Sequence, residues 1–559
     1  MSSMLKAWAV PMSILVMANT SATWFRLVSK HVPEPYLDEV FHVPQAQRYC
    51  KNDWSWDPKI TTPPGLYLLS LLLKPFLGSC DTSMLRTLNV GAICIICILS
   101  YGILRHLQSS SRRQGYKKGS EGHSGEDDSQ ILSDAHSALN ISLFPPLFFF
   151  SGLYYTDVIS TLLVLLSYHT FVKSKPSNPT FWHALQTIGV GILALLFRQT
   201  NIFWVAVFPA GLAVIASLKD RAPEKVGTKR LGVVDTLLQS WQEGIMYDVP
   251  VEEASLQDFV ILPISVVIAA MRSPLIVLKV ILPYSALLAL FGAFVAWNGG
   301  VVLGDKSNHV ATIHTPQMLY LWPYIGLFSL PLLLSPLLKP VIHFLPNGWL
   351  KSYFRANFTG SSEMSAPGFL STVLCLAFGL VAIHYNTIVH PFTLADNRHY
   401  TFYVFRILFR HPSIKYLAVP IYCSLAWLAV QVLGPTSSVE MTRRQKTNST
   451  TASFNGEDRK PCQASFIFIW IVTTALSVVT TSLVEPRYFI IPWVMWRLHV
   501  PTISASQSSS LSTGKALYDL RLWLETAWHL AIDATLGYLF LYRGFSWSSE
   551  PGVIQRFLW

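Results

Sequence analysis

Charge is what this chain has least of. Only 13% of its 559 residues are Asp, Glu, Lys or Arg, about half the share of a soluble domain. That shortage excludes an ordinary solvated globular protein. A hydrophobic content of 51% and a mean hydropathy of +0.39 place the chain among polytopic membrane proteins instead. Nucleotide signatures are missing as well: there is no P-loop, no GxGxxG after a strand and no HExxH zinc helix. Cysteine is sparse and odd in number. Cys50, Cys80, Cys94, Cys97, Cys375, Cys423 and Cys462 are scattered, which reads as no disulfide framework. Cys94 and Cys97 form a CxxC inside "AICIICIL" with no His or acidic neighbour, so they read as small residues of an apolar helix. The net charge of +11 gathers in short loops between apolar runs. That is the orientation signal of a membrane protein, and no nucleic acid partner is expected.

What the chain has in abundance is apolar runs. A first, uncleaved span is expected over residues 7–27, broken by Pro11, and a polar aromatic loop over 30–62. "PPGLYLLSLLLKPFLG" (63–78) is short for a span and carries Lys74, which suits an interfacial or re-entrant helix. Further spans are expected near 85–104, 139–155, 158–172, 182–197, 200–218, 274–297, 317–338, 368–386, 413–433, 464–484 and 521–542. Residues 1–559 thus read as one all-α polytopic domain of about 12–14 crossings, with interfacial helices in the first loop. The loops 105–137, 219–256 and 434–462 are basic, read as cytosolic, and have the composition of partly disordered segments. The sequons at Asn140, Asn357 and Asn448 fall on or beside that basic side, where they stay unglycosylated.

The compact loops of the opposite face hold most of the polar chemistry. Asp38, Glu39, His42, Trp54, Trp56 and Asp57 are in the first, Asp157 in the second, and Arg198 with Gln199 in the third. Then come Asp305, Lys306 and His309, the loop 387–412 with Asp396, Asn397, Arg398, His399 and Tyr400, and finally Glu485, Arg487 and Tyr488. Ionisable groups at a membrane boundary are costly unless paired or hydrated, so they mark a site, or else cap helix ends. A carboxylate can take the proton of an attacking sugar hydroxyl. Arg, Lys or His can hold a leaving phosphate, and tryptophans offer flat faces to sugar rings. Without a nucleotide site, an activated donor has to arrive through the lipid. A transporter or scramblase would place charges at mid-span and repeat its hydropathy pattern, and neither is present.

"YLDEVFHVPQAQRYC", "WDPKITTPPGLY", "FRQTNIFW", "NGGVVLGDKSNH", "LADNRHYTFYVF", "EPRYFIIP" and "IQRFLW" together resemble the dolichyl-phosphate-glucose-dependent α-1,2-glucosyltransferases of the endoplasmic reticulum. The resemblance runs from about residue 30 to Trp559. It implies the GT-C glycosyltransferase fold, with a luminal groove where a lipid-phosphate sugar meets its acceptor. It also implies an inverting transfer from dolichyl-phosphate-glucose to the diglucosylated lipid-linked oligosaccharide (Glc2Man9GlcNAc2-PP-dolichol). Membrane lipids are the surroundings, and no metal or other cofactor is implied. The family's acidic residue in the first luminal loop falls on Asp38 or Glu39, the candidate bases, with His42 one helical turn away. Arg398 and His399 are the first candidates for the donor phosphate, with Lys306 and Arg487 as alternatives. Asp57, Trp54, Trp56, Asp157, Arg198, Asp396, Asn397 and Tyr400 are the acceptor or supporting candidates. The residues alone leave another dolichyl-phosphate-sugar-dependent transferase open.

Overall fold

The structure is a computed structural model that describes residues 2–115, 124–174, 179–221, 232–306, 312–354, 358, 367–434, 462–481, 483–502 and 518–559. In chain order, α1 (Ser2–His31) leads into α2 (Glu39–Cys50) and α3 (Gly65–Leu77), then α4 (Thr82–Gly115), α5 (Ser124–Ser142), α6 (Pro145–Phe150) and α7 (Thr156–Lys173). Next are α8 (Phe181–Leu195), a π-helical turn (Phe203–Val207), α9 (Phe208–Lys219), α10 (Val233–Glu243), α11 (Leu256–Arg272) and α12 (Pro274–Asn298). The rest comprises α13 (Gln317–Phe328), α14 (Leu330–Phe344), α15 (Trp349–Phe354), α16 (Phe369–Asn386), α17 (Pro391–Ala395), α18 (Tyr400–Leu408) and α19 (Ile414–Gln431). It closes with α20 (Ala464–Val478), α21 (Ile490–His499), α22 (Leu520–Tyr542) and a hairpin of β1 (Phe545–Trp547) and β2 (Glu550–Gln555). The chain is a helical, polytopic membrane protein. The hairpin is a non-helical addition that the sequence reading lacks.

Against the expected about 12–14 crossings, four helices among the described residues are individually long and apolar enough to cross: Thr82–Gln108, Pro274–Asn298, Phe369–Asn386 and Ile414–Gln431. A fifth candidate is broken. Gln317–Phe328 and Leu330–Leu338 meet at 87°, because Pro331 has no N–H for the helical ladder and crowds the turn before it. Trp493 Nε1 donates to Ser329 Oγ at 2.9 Å and fills that corner. The expected span 139–155 is likewise split. Phe144 precedes Pro145–Pro146 and is driven to an extended conformation (φ −55°, ψ 118°), ending α5 and starting α6.

One expectation needs correction, and the described parts of two loops are helical. Cys50 and Cys80 are disulfide-bonded, with Cα atoms 6.5 Å apart; an odd total says nothing about two cysteines in adjacent polar loops. The loop 105–137 is helical over 105–115 and 124–137. Gln108 Nε2 donates to Asp134 Oδ1 at 2.6 Å and Arg105 pairs with Asp134 at 3.6 Å, tying α4 to α5. The loop 219–256 contains α10, whose Ser240 meets Ser265 of α11 at 2.7 Å, and α11 itself, expected as no span, is capped by a reciprocal Ser255–Asp258 box. Most of 434–462 lies outside the described residues, as do Asn357, Asn448 and His309. Asn140 is buried, and its amide donates to Leu522 O and Glu525 Oε2, both at 2.9 Å.

Aromatic packing binds the bundle. Phe144 stacks on Trp493 with centroids 3.7 Å apart, and Trp24 packs on Phe149 and Phe540 while donating from Nε1 to Phe149 O. α3 seats against the turn after α8: the Gly65 N–H donates to Leu196 O at 2.8 Å, an approach that a Cβ would block. These contacts bring the turns before α2, α7, α18 and α21 to one region.

Candidate active site

Asp38 and Glu39 are neighbours that point apart, as successive helical residues do by about 100°. Leu37, just before them, has φ 52°, a left-handed conformation costly for a branched side chain. The strained turn is pinned on both flanks. The Asp38 N–H donates to the Tyr155 hydroxyl at 3.2 Å, and the Tyr36 hydroxyl accepts the Arg556 N–H at 2.7 Å. Glu39 turns into the protein and is fully buried. It accepts from Arg86 Nε and Nη2 at 2.8 and 2.6 Å and from the backbone N–H groups of Tyr154 and Tyr36. Asp38 turns outward, its side chain 38% exposed, and accepts from Arg487 Nη1 at 2.6 Å.

Arg487 lies on the 3-10 turn Pro486–Phe489 and pairs also with Glu485 through Nε. Its guanidinium therefore joins two carboxylates. Asp157, in the first turn of α7, pairs with Arg198 at 3.1 Å, while its Oδ2 is buried with no hydrogen-bond partner. Burial alone would raise the Asp38 pKa, but Arg487, with His42 behind it, outweighs that and holds the carboxyl at about 2. The same guanidinium holds Glu485 below its ordinary value against burial. Burial pushes His42 down to about 4 despite the pull of Asp38, so its imidazole is neutral. His42 does not orient either carboxylate by hydrogen bonding, as its position on the helix allowed; its Nδ1 bonds the Tyr67 hydroxyl at 2.6 Å.

The second group is Asp396–Tyr400. Asp396 receives Arg398 Nε at 2.9 Å and Nη2 at 2.7 Å, and His399 Nε2 stands 3.5 Å from the same carboxylate. The fork raises the Arg398 pKa although burial opposes it. Asn397 Oδ1 accepts from Trp547 Nε1 at 2.9 Å, and the Tyr400 ring packs on Trp559. His399 is within electrostatic reach of both Asp38 and Glu485, which joins this group to the first.

Not every sequence candidate converges. Lys306 is exposed and bound to the Asn298 carbonyl at the end of α12. Trp54 is exposed beside Tyr49, Trp56 packs on Tyr67, and Asp57 Oδ1 accepts the Lys59 N–H. Gln199 Nε2 donates to Thr61 O and ties that segment to the turn after α8. Among the described residues no three His, Cys, Asp or Glu side chains are grouped as a metal site requires.

Sequence reasoning missed Arg86, Asn89 and Tyr155. Asn89 Nδ2 donates to Leu153 O and Tyr155 O at 2.7 and 2.8 Å, shaping the turn before α7. A signal for Arg86 did exist: a lone cation in the apolar run "LRTLNVGAICIICILSYGIL" needs a buried anion.

Known proteins match this chain along its whole length. The profile of the DIE2/ALG10 family matches residues 32–498. An Aspergillus fumigatus protein named Dol-P-Glc:Glc(2)Man(9)GlcNAc(2)-PP-Dol alpha-1,2-glucosyltransferase is 38% identical, covering 100% of this chain and 98% of its own. Proteins of the same name from Arabidopsis thaliana and Rattus norvegicus are 31% and 30% identical, over 99% and 96% of this chain and 98% and 96% of theirs.

Proposed function

Because the chain belongs to the DIE2/ALG10 family, we propose that it is a glucosyltransferase that moves glucose from dolichyl-phosphate-glucose to the diglucosylated lipid-linked oligosaccharide, forming an α-1,2 bond. The observation that carries the assignment of roles is the Asp38–Arg487 contact. It places an ionised, partly exposed carboxylate against a guanidinium able to grip phosphate. In the proposed step the acceptor hydroxyl oxygen attacks the anomeric carbon of the donor glucose from the face opposite the phosphate. The bond from that carbon to the phosphate oxygen breaks, its electron pair leaves with dolichyl phosphate, and the hydroxyl proton passes to Asp38. One displacement inverts the anomeric centre without a covalent sugar intermediate.

Arg487 contacts Asp38, and Arg398 extends the cationic side with His399 beside it. Together they offset charge on the leaving phosphate, so the proposed reaction needs no metal. Glu39 is saturated by four donors and has no lone pair directed at an acceptor. Asp157 and Arg198 border the acceptor side. The Cys50–Cys80 bond, closing the loop beside α2, supports an oxidising surrounding and hence a luminal site in the endoplasmic reticulum membrane.

The test is reconstitution of the full chain in lipid with dolichyl-phosphate-glucose and the diglucosylated acceptor. The expected product carries one more hexose, removable by an α-1,2-specific glucosidase, and forms equally well in chelator. Equal transfer from dolichyl-phosphate-mannose would overturn the donor assignment.

A further inference from the structure

The segment 545–559 contacts the residues assigned to the donor through side chains and backbone alike. β1 and β2 pair antiparallel, with Phe545 opposite Gln555, and present two side chains to Arg398. The Arg398 guanidinium carbon lies over the Trp547 ring, 4.6 Å from its centroid. Gln555 Oε1 accepts from Arg398 Nη1 at 3.0 Å, and Gln555 Nε2 is itself fixed by Glu550 at 2.7 Å. With Asp396 on another edge, the guanidinium is held by the Trp547 ring and by two hydrogen-bonding side chains. A five-donor group bound this way still has N–H groups left over.

The backbone of the segment is engaged as well. The Leu558 N–H donates to Arg398 O at 2.9 Å, the Tyr400 N–H donates to Leu558 O at 3.2 Å, and His399 Nδ1 meets Trp559 O at 3.1 Å. Arg556 anchors the strap to the bundle. Its Nη1 donates to Phe540 O and Leu541 O, both 2.8 Å, and Nη2 to His31 O at 3.1 Å, satisfying carbonyls left open at the ends of α22 and α1. Its backbone N–H and the Tyr36 hydroxyl, two residues before Asp38, lock the base-bearing turn to the same segment.

We propose that residues 545–559 form a strap that positions the donor phosphate site, with Trp547 and Gln555 as positioning residues that orient Arg398. The proposal rests on the donor assignment made above. The strap spans the gap between the Asp396–Tyr400 loop and the turn at Asp38, so it fixes the distance between the group that holds the phosphate and the group that takes the proton.

Steady-state transfer by the reconstituted full chain, with donor and acceptor varied separately, tests it. Gln555→Met keeps the size of the side chain but removes the acceptor on Arg398 and the donor to Glu550, while Asp396 still holds the guanidinium. Its donor KM should rise about tenfold or more, the scale of a hydrogen bond to a charged group, with acceptor KM and unfolding temperature unchanged. Trp547→Ala should act in the same direction, and Trp547→Phe, which keeps an aromatic ring, should recover most of the loss. An unchanged donor KM in these variants, while Arg398→Ala raises it, overturns the strap alone. So does a parallel rise of both KM values with a lowered unfolding temperature. Arg398→Ala leaving donor KM unchanged overturns the donor role of Arg398 and the strap with it.

Discussion

Replacing Asp38 and Glu39 one at a time should separate chemistry from stability, although the two carboxylates are adjacent in the chain. Asp38→Asn removes a charge whose side chain is 38% exposed and whose partner Arg487 retains Glu485. Its stability cost should stay within about 1 kcal/mol, the scale of a solvent-exposed ion pair. The rate of glucose transfer should fall by about 10²–10⁴, the contribution of a positioned general base. Glu39→Gln is the reverse case. Both partners of the Glu39–Arg86 pair are fully buried, and neutralising one leaves an uncompensated charge at about 3–5 kcal/mol. That is a large share of a total stability of about 5–15 kcal/mol. Thermal unfolding in detergent, followed by transfer rate per folded molecule, reads both effects. A fully active Asp38→Asn, or a Glu39→Gln that folds as well as the parent and transfers no glucose, would refute the division of roles.

Three further outcomes are expected. Cys50→Ser opens a loop of 30 residues, and the chain-entropy relation gives a loss of about 3–4 kcal/mol; an unfolding temperature equal to that of the parent under non-reducing conditions would contradict it. His42 has its pKa depressed to about 4 in the folded chain from about 6.5 unfolded. The stability it adds is thus complete above pH 6.5 and lost as pH falls toward 4, so His42→Gln should flatten the unfolding temperature between pH 7 and 5, and an unaltered slope speaks against it. Gly65→Ala would place a Cβ 2.4 Å from Leu196 O, with an expected loss of about 1–3 kcal/mol; a variant as stable as the parent would show that α3 is free to shift.

Much of the candidate site was legible because its charges sit at the edges of apolar runs. Asp38, Asp157, Arg198, His399, Glu485 and Arg487 could be singled out from the cost of charge at a membrane boundary alone. Which carboxylate faces which cation could not be read, since that depends on how turns more than 400 positions apart meet. Arg487 is 449 positions from Asp38, and no local periodicity encodes such a pairing. Span boundaries failed where proline sits inside an apolar run, as at Pro145 and Pro331, because hydropathy windows average over the break. The loops 105–137 and 219–256 looked unstructured by composition, yet their polar side chains pair across neighbouring helices, as Gln108 does with Asp134. The strap was visible only as the odd motif "IQRFLW", whose meaning lies in backbone contacts.

The charge balance across the proposed transfer explains why one guanidinium touches both Glu485 and Asp38. Before reaction, negative charge rests on Asp38 and on the single ionised oxygen of the donor phosphodiester. During the step Asp38 gains the hydroxyl proton and becomes neutral, while the departing phosphate gains a second negative charge. The total does not change; the charge only moves from carboxylate to phosphate. A cation held between the two positions by Glu485 can follow that movement without large reorganisation, which is the condition for electrostatic stabilisation. Arg487 without Glu485 would keep only its contact with Asp38 and would be free to swing away with the product once Asp38 is neutral. Glu485→Gln should therefore slow transfer through kcat while leaving donor KM nearly unchanged, because the arginine still meets phosphate but no longer stays aligned as the charge migrates. A change confined to donor KM would show instead that Glu485 only tunes binding.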